Sequence, residues 1–213
     1  MDLEAEAVDY DAMDHAEVNR RFETDLLGAD ADVRDVIDVG TGTALIPIAL
    51  CRVTPQAHVT AVDAAAAMLR MGRVNVVRSD LVNRIELVQV DAKRLPFPAR
   101  RFSTVMSNSI VHHIPEPLDV LREAVRVVAP GGTLFVRDLM RPDDQVTLER
   151  LVDAHAAGAN DHQRQMFADS LHAALTLEEI RDLIEALGFD SETVQASSDR
   201  HWTWCAKGLG VVS

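Results

Sequence analysis

The sequence predicts one α/β domain in which strands alternate with helices around a mostly parallel sheet. The first observation is at residues 33–50, where a β-branched apolar run ends in closely spaced glycines and continues into an apolar, helix-like run. The second is at residues 58–76, where a short alternating strand again precedes a helix-like run. The third is size, because 213 residues, 47% of them hydrophobic, are enough for one such domain with a sizeable core. We therefore expect residues 1–213 to form a single domain.

The charge of the chain argues against two classes of partner. The formal net charge is −13, and only Lys93 and Lys207 are lysines among the 21 basic residues. Binding to nucleic-acid phosphates or to an anionic membrane requires clustered positive charge. We therefore expect no nucleic acid and no membrane as partner, and a small molecule as substrate. The protein is expected to be a monomer or a homodimer.

The cysteine content and the N-terminus predict a cytoplasmic protein. Cys51 and Cys205 are too few and too far apart for a disulfide framework or a zinc motif. The acidic N-terminus lacks the basic and apolar regions of a signal peptide, and no stretch approaches the ~18 apolar residues of a membrane span. The histidines show no H-x-x-x-H or similar ligand spacing, so no metal is predicted.

The loop after the first strand has the composition of a loop that binds a nucleotide-type cofactor. Glycine is needed where the backbone takes unusual dihedral angles or where a ligand lies against the main chain. Gly40 and Gly42 supply such positions, with Asp38 and Thr41 beside them. The dinucleotide fingerprint G-x-G-x-x-G would require a third glycine where this chain has Leu45. The loop therefore disfavours a nicotinamide-dependent reductase.

The pattern D-x-G-x-G-x-A of this loop resembles motif I of the class I S-adenosylmethionine-dependent methyltransferases, with Ala44 where that family often has a third glycine. Further signals follow in family order over residues 33–207: an acid after the second strand, another after the third, a P-G-G turn and a final hairpin. The resemblance implies a doubly wound, seven-stranded, mostly parallel sheet with its last strand antiparallel and helices on both faces. It also implies S-adenosylmethionine as cofactor and S-adenosylhomocysteine as product.

The N-terminal residues 1–30 are expected to form a helical cap on the cofactor side of the sheet. Val18, Phe22 and Leu26 follow helical spacing, and a glycine ends this helix. Tyr10 lies ahead of it in a Y-D segment that resembles the segment with which many small-molecule methyltransferases close over the cofactor. An exposed tyrosine without such a role is the alternative.

Two acidic residues at the ends of the second and third strands are predicted to bind the nucleoside. Asp63 ends the strand at residues 58–63, where a carboxylate can accept both ribose hydroxyls. Asp91 and Ala92 belong to a segment that resembles the D-A-x-x-L-P-F segment of the family, which implies contacts with the adenine amino group and ring. A loop cap is the alternative role of Asp91. Met68 is either a further adenine contact or part of the core.

The fourth strand, at residues 102–108, leads into the predicted catalytic segment. The residues that follow resemble the L-H-H-I-x-x-P segment of small-molecule enzymes related to the quinone-biosynthesis methyltransferases. They do not match the [ND]-P-P-[YFW] segment common in enzymes that methylate nucleic-acid amino groups. His112 and His113 are candidate general bases, because an unperturbed imidazole titrates near neutrality. Structural packing of either histidine is the alternative.

The fifth strand and the final hairpin contribute the predicted substrate contacts. The strand ends in Arg137 and Asp138, where charges face the ligand crevice of open α/β sheets. Arg137 either clamps an acidic acceptor or pairs with Asp138. In the hairpin, His201 is the third substrate candidate, because it lies on the face opposite Trp202 and Trp204, which are expected in the core. Between strand and hairpin, residues 141–175 are expected to form a helical lid insert, and Thr176 with Glu179 to form a capping box for the next helix.

The predicted function is methyl transfer from S-adenosylmethionine to a small-molecule acceptor by in-line attack on the sulfonium methyl. Because the donor is already activated by its positive charge, the protein mainly holds donor and acceptor collinear and excludes water. A non-catalytic cofactor-binding or regulatory protein stays an alternative, and a nicotinamide-dependent reductase is a further one. The residues predicted to bind the cofactor are Tyr10, Asp38, Gly40, Thr41, Gly42, Asp63, Ala64, Met68, Asp91, Ala92, Ser107 and Asn108.

Overall fold

The computed structural model of the chain describes residues 16–209. Its helices are α1 (Ala16–Gly28), α2 (Leu45–Val53), α3 (Ala66–Arg78), α4 (Pro117–Val127), α5 (Gln145–His155), α6 (Asp161–Ala173) and α7 (Leu177–Ala186). Its strands are β1 (Val36–Val39), β2 (Val59–Asp63), β3 (Ile85–Gln89), β4 (Phe102–Asn108), β5 (Val128–Leu139), β6 (Val194–Ala196) and β7 (His201–Lys207). Short 3₁₀ turns lie at Val111–His113 and Ser191–Thr193. The predicted cofactor residue Tyr10 lies outside the described residues.

The strands form one sheet in the order β3-β2-β1-β4-β5-β7-β6. The first five strands pair in parallel, whereas β7 is antiparallel to both β5 and β6. The predicted seven-stranded, mostly parallel sheet with an antiparallel last strand is confirmed. The carboxyl ends of β1, β2 and β4 lie along one edge, which is where open α/β sheets bind their ligands.

Helices cover both faces of the sheet. On one face, α1, α2 and α3 pack over an apolar cluster that includes Phe22 and Phe135. On the other face, α4 and α7 cover a second cluster that includes Ile180, Trp202 and Trp204. Both tryptophan side chains are fully buried, as expected from the alternation along β7. None of the helices between residues 16 and 209 is long and apolar enough to span a membrane.

The predicted P-G-G turn does not separate the fourth helix from the fifth strand. Strand β5 instead begins at Val128, directly after α4, and its register with β4 shifts near this start. Gly131 has a φ of +73°, and a Cβ on Gly132 would lie 2.7 Å from the Ser103 carbonyl oxygen. The glycines thus allow an irregular strand start, in which residues 129–132 of β5 lie opposite the single residue Ser103 of β4 before pairing resumes at Thr133.

The insert between β5 and α7 consists of α5 and α6. Its apolar cluster includes Leu148, Leu151 and Leu171, and it joins the end of β5 through Leu139. Helix α6 contacts the 3₁₀ turn at Val111–His113. The insert therefore lies against the segment that holds the predicted catalytic histidines, and its action as a lid stays a prediction. The capping box predicted for the following helix is present at the start of α7.

Candidate cofactor and catalytic site

The glycine loop turns sharply between β1 and α2. Gly40, Gly42 and Ala44 have φ angles of +78°, +55° and +63°. A Cβ on Gly40 would lie 2.5 Å from the Cδ1 atom of Ile110, which directly precedes the 3₁₀ turn. Glycine at this position is therefore required by its backbone conformation and by the close approach of a neighbouring segment. The same approach brings the loop next to the predicted catalytic turn.

The carboxylate of Asp63 holds the glycine loop to the end of β2. Its Oδ2 atom accepts the Gly42 N–H at 2.9 Å, and its Oδ1 atom accepts the Ala65 N–H at 2.8 Å. A carboxylate has about four lone-pair positions, so both oxygens can still accept a hydroxyl. Asp63 thus has a structural role that the sequence did not reveal, and its predicted ribose contact remains compatible with it.

A small polar cavity lies beside the loop, between α1 and the ends of β1 and β4. Asp38 lines it and is 2% exposed, and this burial, together with the nearby charge of Asp63, raises the pKa of its carboxyl to about 7. The side-chain oxygens of Thr43 and Asn108 are buried there and have no hydrogen-bond partner among residues 16–209. Buried polar atoms normally have partners. The cavity therefore has polar groups available for a ligand.

Asn19 of α1 also lines this cavity, and sequence reasoning did not identify it. The periodicity of α1 predicts which of its faces is apolar, but it does not show where the polar face lies in the fold. Only the packing of α1 against α2 brings the Asn19 amide to the glycine loop. No local signal in the sequence marks this residue.

The two predicted catalytic histidines have different surroundings. His112 Nδ1 lies 2.5 Å from Asp138 Oδ1, and the two side chains are only 5% and 1% exposed. His113 is exposed, with its ring centre 3.9 Å from that of His112. Asp138 does not face the crevice as predicted for a substrate-binding residue. Its carboxylate is buried because it holds His112 and accepts the Val111 N–H at 2.5 Å.

The sequence is similar to those of known methyltransferases. Residues 37–136 match the family model described as "Methyltransferase domain". A demethylmenaquinone methyltransferase of Listeria monocytogenes is 38% identical over 110 residues, which are 51% of this chain and 46% of that protein. A ubiquinone/menaquinone biosynthesis C-methyltransferase of Pseudomonas putida is 29% identical over 185 residues, covering 82% of this chain and 72% of that protein. This chain thus spans about half the length of the Listeria relative.

A solved structure shares the whole fold. The S-adenosylmethionine-dependent methyltransferase of Aquifex aeolicus has a TM-score of 0.71 at 17% identity, covering 97% of this chain and 99% of that chain. The chain thus shares the fold of this methyltransferase, and its residues 37–136 match a methyltransferase domain.

After β3, where the resemblance predicts the adenine contacts, Asp91 is exposed and caps its own loop. Its Oδ1 atom accepts the Lys93 N–H at 2.9 Å, and this bond and the Lys93 ammonium lower the pKa of the Asp91 carboxyl. Asp91 therefore has the loop-cap role that was its alternative prediction. Its Oδ2 atom lies 3.1 Å from Lys93 Nζ. Ala64 is exposed at the tip of β2, and Ala92 is buried after β3. These residues lie at neighbouring strand ends, as the resemblance implies.

Two further predicted cofactor residues are buried. Met68 is 2% exposed and packs with Ala67, as the core alternative predicts. Ser107 is 3% exposed, and its hydroxyl donates to the Val39 carbonyl oxygen at 2.7 Å. This bond fixes β4 against β1 at the start of the glycine loop. Ser107 thus supports the start of the glycine loop, and a direct contact of Met68 or Ser107 with the cofactor stays a prediction.

Arg137 does not pair with its neighbour Asp138, which was one predicted alternative. Successive side chains of a strand point to opposite faces, so the two charges lie on opposite sides of β5. The Arg137 side chain is 6% exposed, with its Nη2 atom 2.6 Å from Asp25 Oδ2 on α1. Its Nε atom donates to Thr203 Oγ1 at 2.8 Å. These contacts join α1 to β5 and β7, and they account for the guanidinium without a substrate.

His201 shares this face of the sheet and also has a protein partner. Its Nδ1 atom lies 2.8 Å from the Ser198 hydroxyl, within the β6–β7 turn. Burial, together with the charges of Arg200 and Arg137, lowers the pKa of His201 to about 4. The three predicted substrate residues are thus not brought together, because Asp138 points to the opposite face. No three side chains of His, Cys, Asp or Glu cluster as a metal site within residues 16–209.

Proposed function

We propose that the chain transfers a methyl group from S-adenosylmethionine to a small-molecule acceptor. The observation that supports this most is the pair of carboxylates, Asp38 and Asp63, beside the glycine loop. A dinucleotide places its pyrophosphate against such a loop, and the charged form of the Asp38 carboxyl beside the loop would repel that negative charge. The donor instead carries a sulfonium and an ammonium group, which these carboxylates would attract. The loop therefore fits a cationic ligand better than a nicotinamide cofactor.

The residues around the loop fit the parts of this donor. Asp63 has free lone pairs for the ribose hydroxyls, and the resemblance assigns the adenine contacts to Asp91 and Ala92. The unpartnered oxygens of Thr43 and Asn108, together with Asp38, suit the ammonium of the amino-acid end. When bound, S-adenosylmethionine supplies a methyl carbon on positively charged sulfur. The work left to the protein is to bind and orient the reactants and to exclude water, which the insert against the 3₁₀ turn supports.

The acceptor is proposed as a small molecule with a weakly acidic proton. The names of the Listeria and Pseudomonas relatives refer to quinone biosynthesis, so a hydroquinone ring is the first acceptor class to test. The cytoplasmic location, the extent of a single domain and the choice between monomer and homodimer remain predictions from the sequence.

Two measurements test the proposed function. Calorimetric titration should show binding of S-adenosylmethionine and S-adenosylhomocysteine, and no binding of NAD under the same conditions. Incubation with isotope-labelled donor, first with naphthohydroquinone and then with a metabolite extract, should give a product heavier by one CH₂ group plus the mass of the label. Failure to bind the donor would overturn the proposal. Binding without a methylated product would favour the non-catalytic alternative.

A further inference from the structure

The carboxylate of Asp138 is buried and has three hydrogen-bond partners. Two of them belong to the 3₁₀ turn at Val111–His113, and the third belongs to its own strand, β5. Its side chain accepts the Val111 N–H at 2.5 Å and the Leu139 N–H at 2.6 Å, and it faces His112 Nδ1 at 2.5 Å. Hydrogen bonds from two backbone N–H groups favour the charged form of a carboxylate. A buried charge also needs partners, since burial without them is costly. Asp138 is thus an acceptor toward all three groups.

This arrangement determines which nitrogen of His112 carries the proton. Because Asp138 accepts, the Nδ1 atom of neutral His112 must be the N–H, and the lone pair lies on Nε2. Residues 16–209 provide no hydrogen-bond partner for that Nε2 atom. The ring is 5% exposed and fixed by the short contact, so the direction of its lone pair is also fixed. A histidine in this state is a proton acceptor.

The location of Asp138 and His112 near the glycine loop makes the lone pair on His112 Nε2 relevant to methyl transfer. His112 follows the end of β4, Asp138 lies in the last residues of β5, and Ile110 brings the turn into contact with Gly40. The insert covers the same turn through α6. An acceptor bound between the donor loop and this turn would lie next to His112, with little water around it.

We propose that Asp138 is a positioning residue that holds His112 as the general base of the methyl transfer. This inference rests on the proposed function. In the step, the acceptor's nucleophilic atom forms a bond to the methyl carbon, and the bond from that carbon to sulfur breaks with its electron pair left on sulfur. The acceptor's proton moves to His112 Nε2, and Asp138 stabilises the imidazolium that forms. The acceptor is therefore of a class that holds an O–H proton at neutral pH, such as a phenol or a hydroquinone. The hydroxyl proton moves to His112 while the oxygen or a ring carbon attacks, and in the second case the keto product tautomerises back to the hydroquinone.

The test compares Asp138→Asn with His112→Gln, using the acceptor found in the screen described above. An asparagine amide facing Nδ1 would move the histidine lone pair to Nδ1 and leave Nε2 as a donor. Both variants should lose roughly 10²- to 10⁴-fold in kcat, the usual share of a general base. Donor affinity should stay unchanged, and the limb of the kcat/KM pH profile that belongs to His112 should disappear in both variants. Asp119→Asn is the matched control, because that carboxylate is exposed and pairs only with Arg122 in the described structure.

A second measurement does not depend on the folding of the variants. Nitrogen-15 NMR of the wild-type protein, with His112 assigned through His112→Gln, should show the proton on Nδ1 above neutral pH. A proton on Nε2 would overturn the inference, and so would Asp138→Asn with normal kcat and normal donor binding. Those results would leave the proposed function intact, because wild-type turnover and donor binding are measured separately. A wild-type protein that binds the donor but methylates no acceptor would overturn both.

Discussion

Asp63 accepts the N–H of Gly42 at 2.9 Å, and it thereby couples the tip of β2 to the loop that follows β1. The two segments are neighbours because β1 and β2 pair in parallel and end at the same edge. One carboxylate can therefore shape the glycine loop and bind the ribose. A substitution at Asp63 should affect both the loop and the ligand.

We expect Asp63→Ala to weaken S-adenosylmethionine binding by roughly 1.5–3 kcal/mol, the scale of hydrogen bonds to a charged group. Titration calorimetry measures this loss. Hydrogen exchange should also show a less protected Gly42 amide in the variant. The control is Glu86→Ala, an exposed carboxylate on β3. An unchanged dissociation constant would mean that the ribose does not contact Asp63.

Asp38 should make stability depend on pH. Its carboxyl has a pKa of about 7 in the folded protein, against an ordinary value of 3.8, because it is buried. The folded state therefore binds more protons than the unfolded state between these values, so this contribution to stability is fully present below the lower value. It is lost as the pH rises through about 7. Asp38→Asn should remove this part of the decline in melting temperature, measured by calorimetry from acid to neutral pH.

Binding of the donor should favour the charged form of the Asp38 carboxyl, which burial disfavours in the free protein. An ammonium beside the carboxylate favours its charged form, so donor affinity should rise with pH up to about 7 and then level off. The affinity of Asp38→Asn should be lower and should lack this rise. An equal pH dependence of binding in both proteins would place the donor's amino-acid end elsewhere.

Gly40→Ala and Gly131→Ala form a matched pair that separates a steric clash from backbone strain. Both glycines have positive φ, but a Cβ on Gly40 meets Ile110 at 2.5 Å, whereas a Cβ on Gly131 meets nothing within 4 Å. Gly40→Ala should lower the free energy of unfolding by about 1–3 kcal/mol more than Gly131→Ala, the usual cost of overpacking. Denaturant titration measures the difference. Equal losses in the two variants would show that Ile110 moves aside.

Removal of Asp25, the α1 partner of Arg137, should destabilise the protein without changing kcat or the acceptor KM. Asp25→Ala leaves the buried guanidinium without its carboxylate, so we expect a loss of about 1–3 kcal/mol in the free energy of unfolding. The exposed pair of Asp119 and Arg122 provides the comparison, since Asp119→Ala should cost less than about 1 kcal/mol. At a temperature where the variant is folded, its kcat and acceptor KM should match the wild type. A raised acceptor KM would restore the predicted role of Arg137 as a substrate clamp.

The sequence alone determined the order of strands and helices, the glycine loop and the acidic residue after the second strand. Each of these depends on local patterns: alternation along a strand, helical spacing, and glycines where the backbone must take a positive φ. It also determined that Trp202 and Trp204 lie in the core, because alternation along one strand assigns its faces. These features need no knowledge of what packs against them.

Only the tertiary structure decided the partners of the buried charges. Arg137 and Asp138 are adjacent in the chain, yet the pleat of β5 directs their side chains to opposite faces of the sheet. On one face, Arg137 pairs with Asp25 of α1. On the other face, Asp138 pairs with His112 of the 3₁₀ turn. Asn19 reaches the cavity only because α1 packs on α2. Partners that are distant in the chain meet through the packing of whole elements, and a local pattern contains no information about which elements meet.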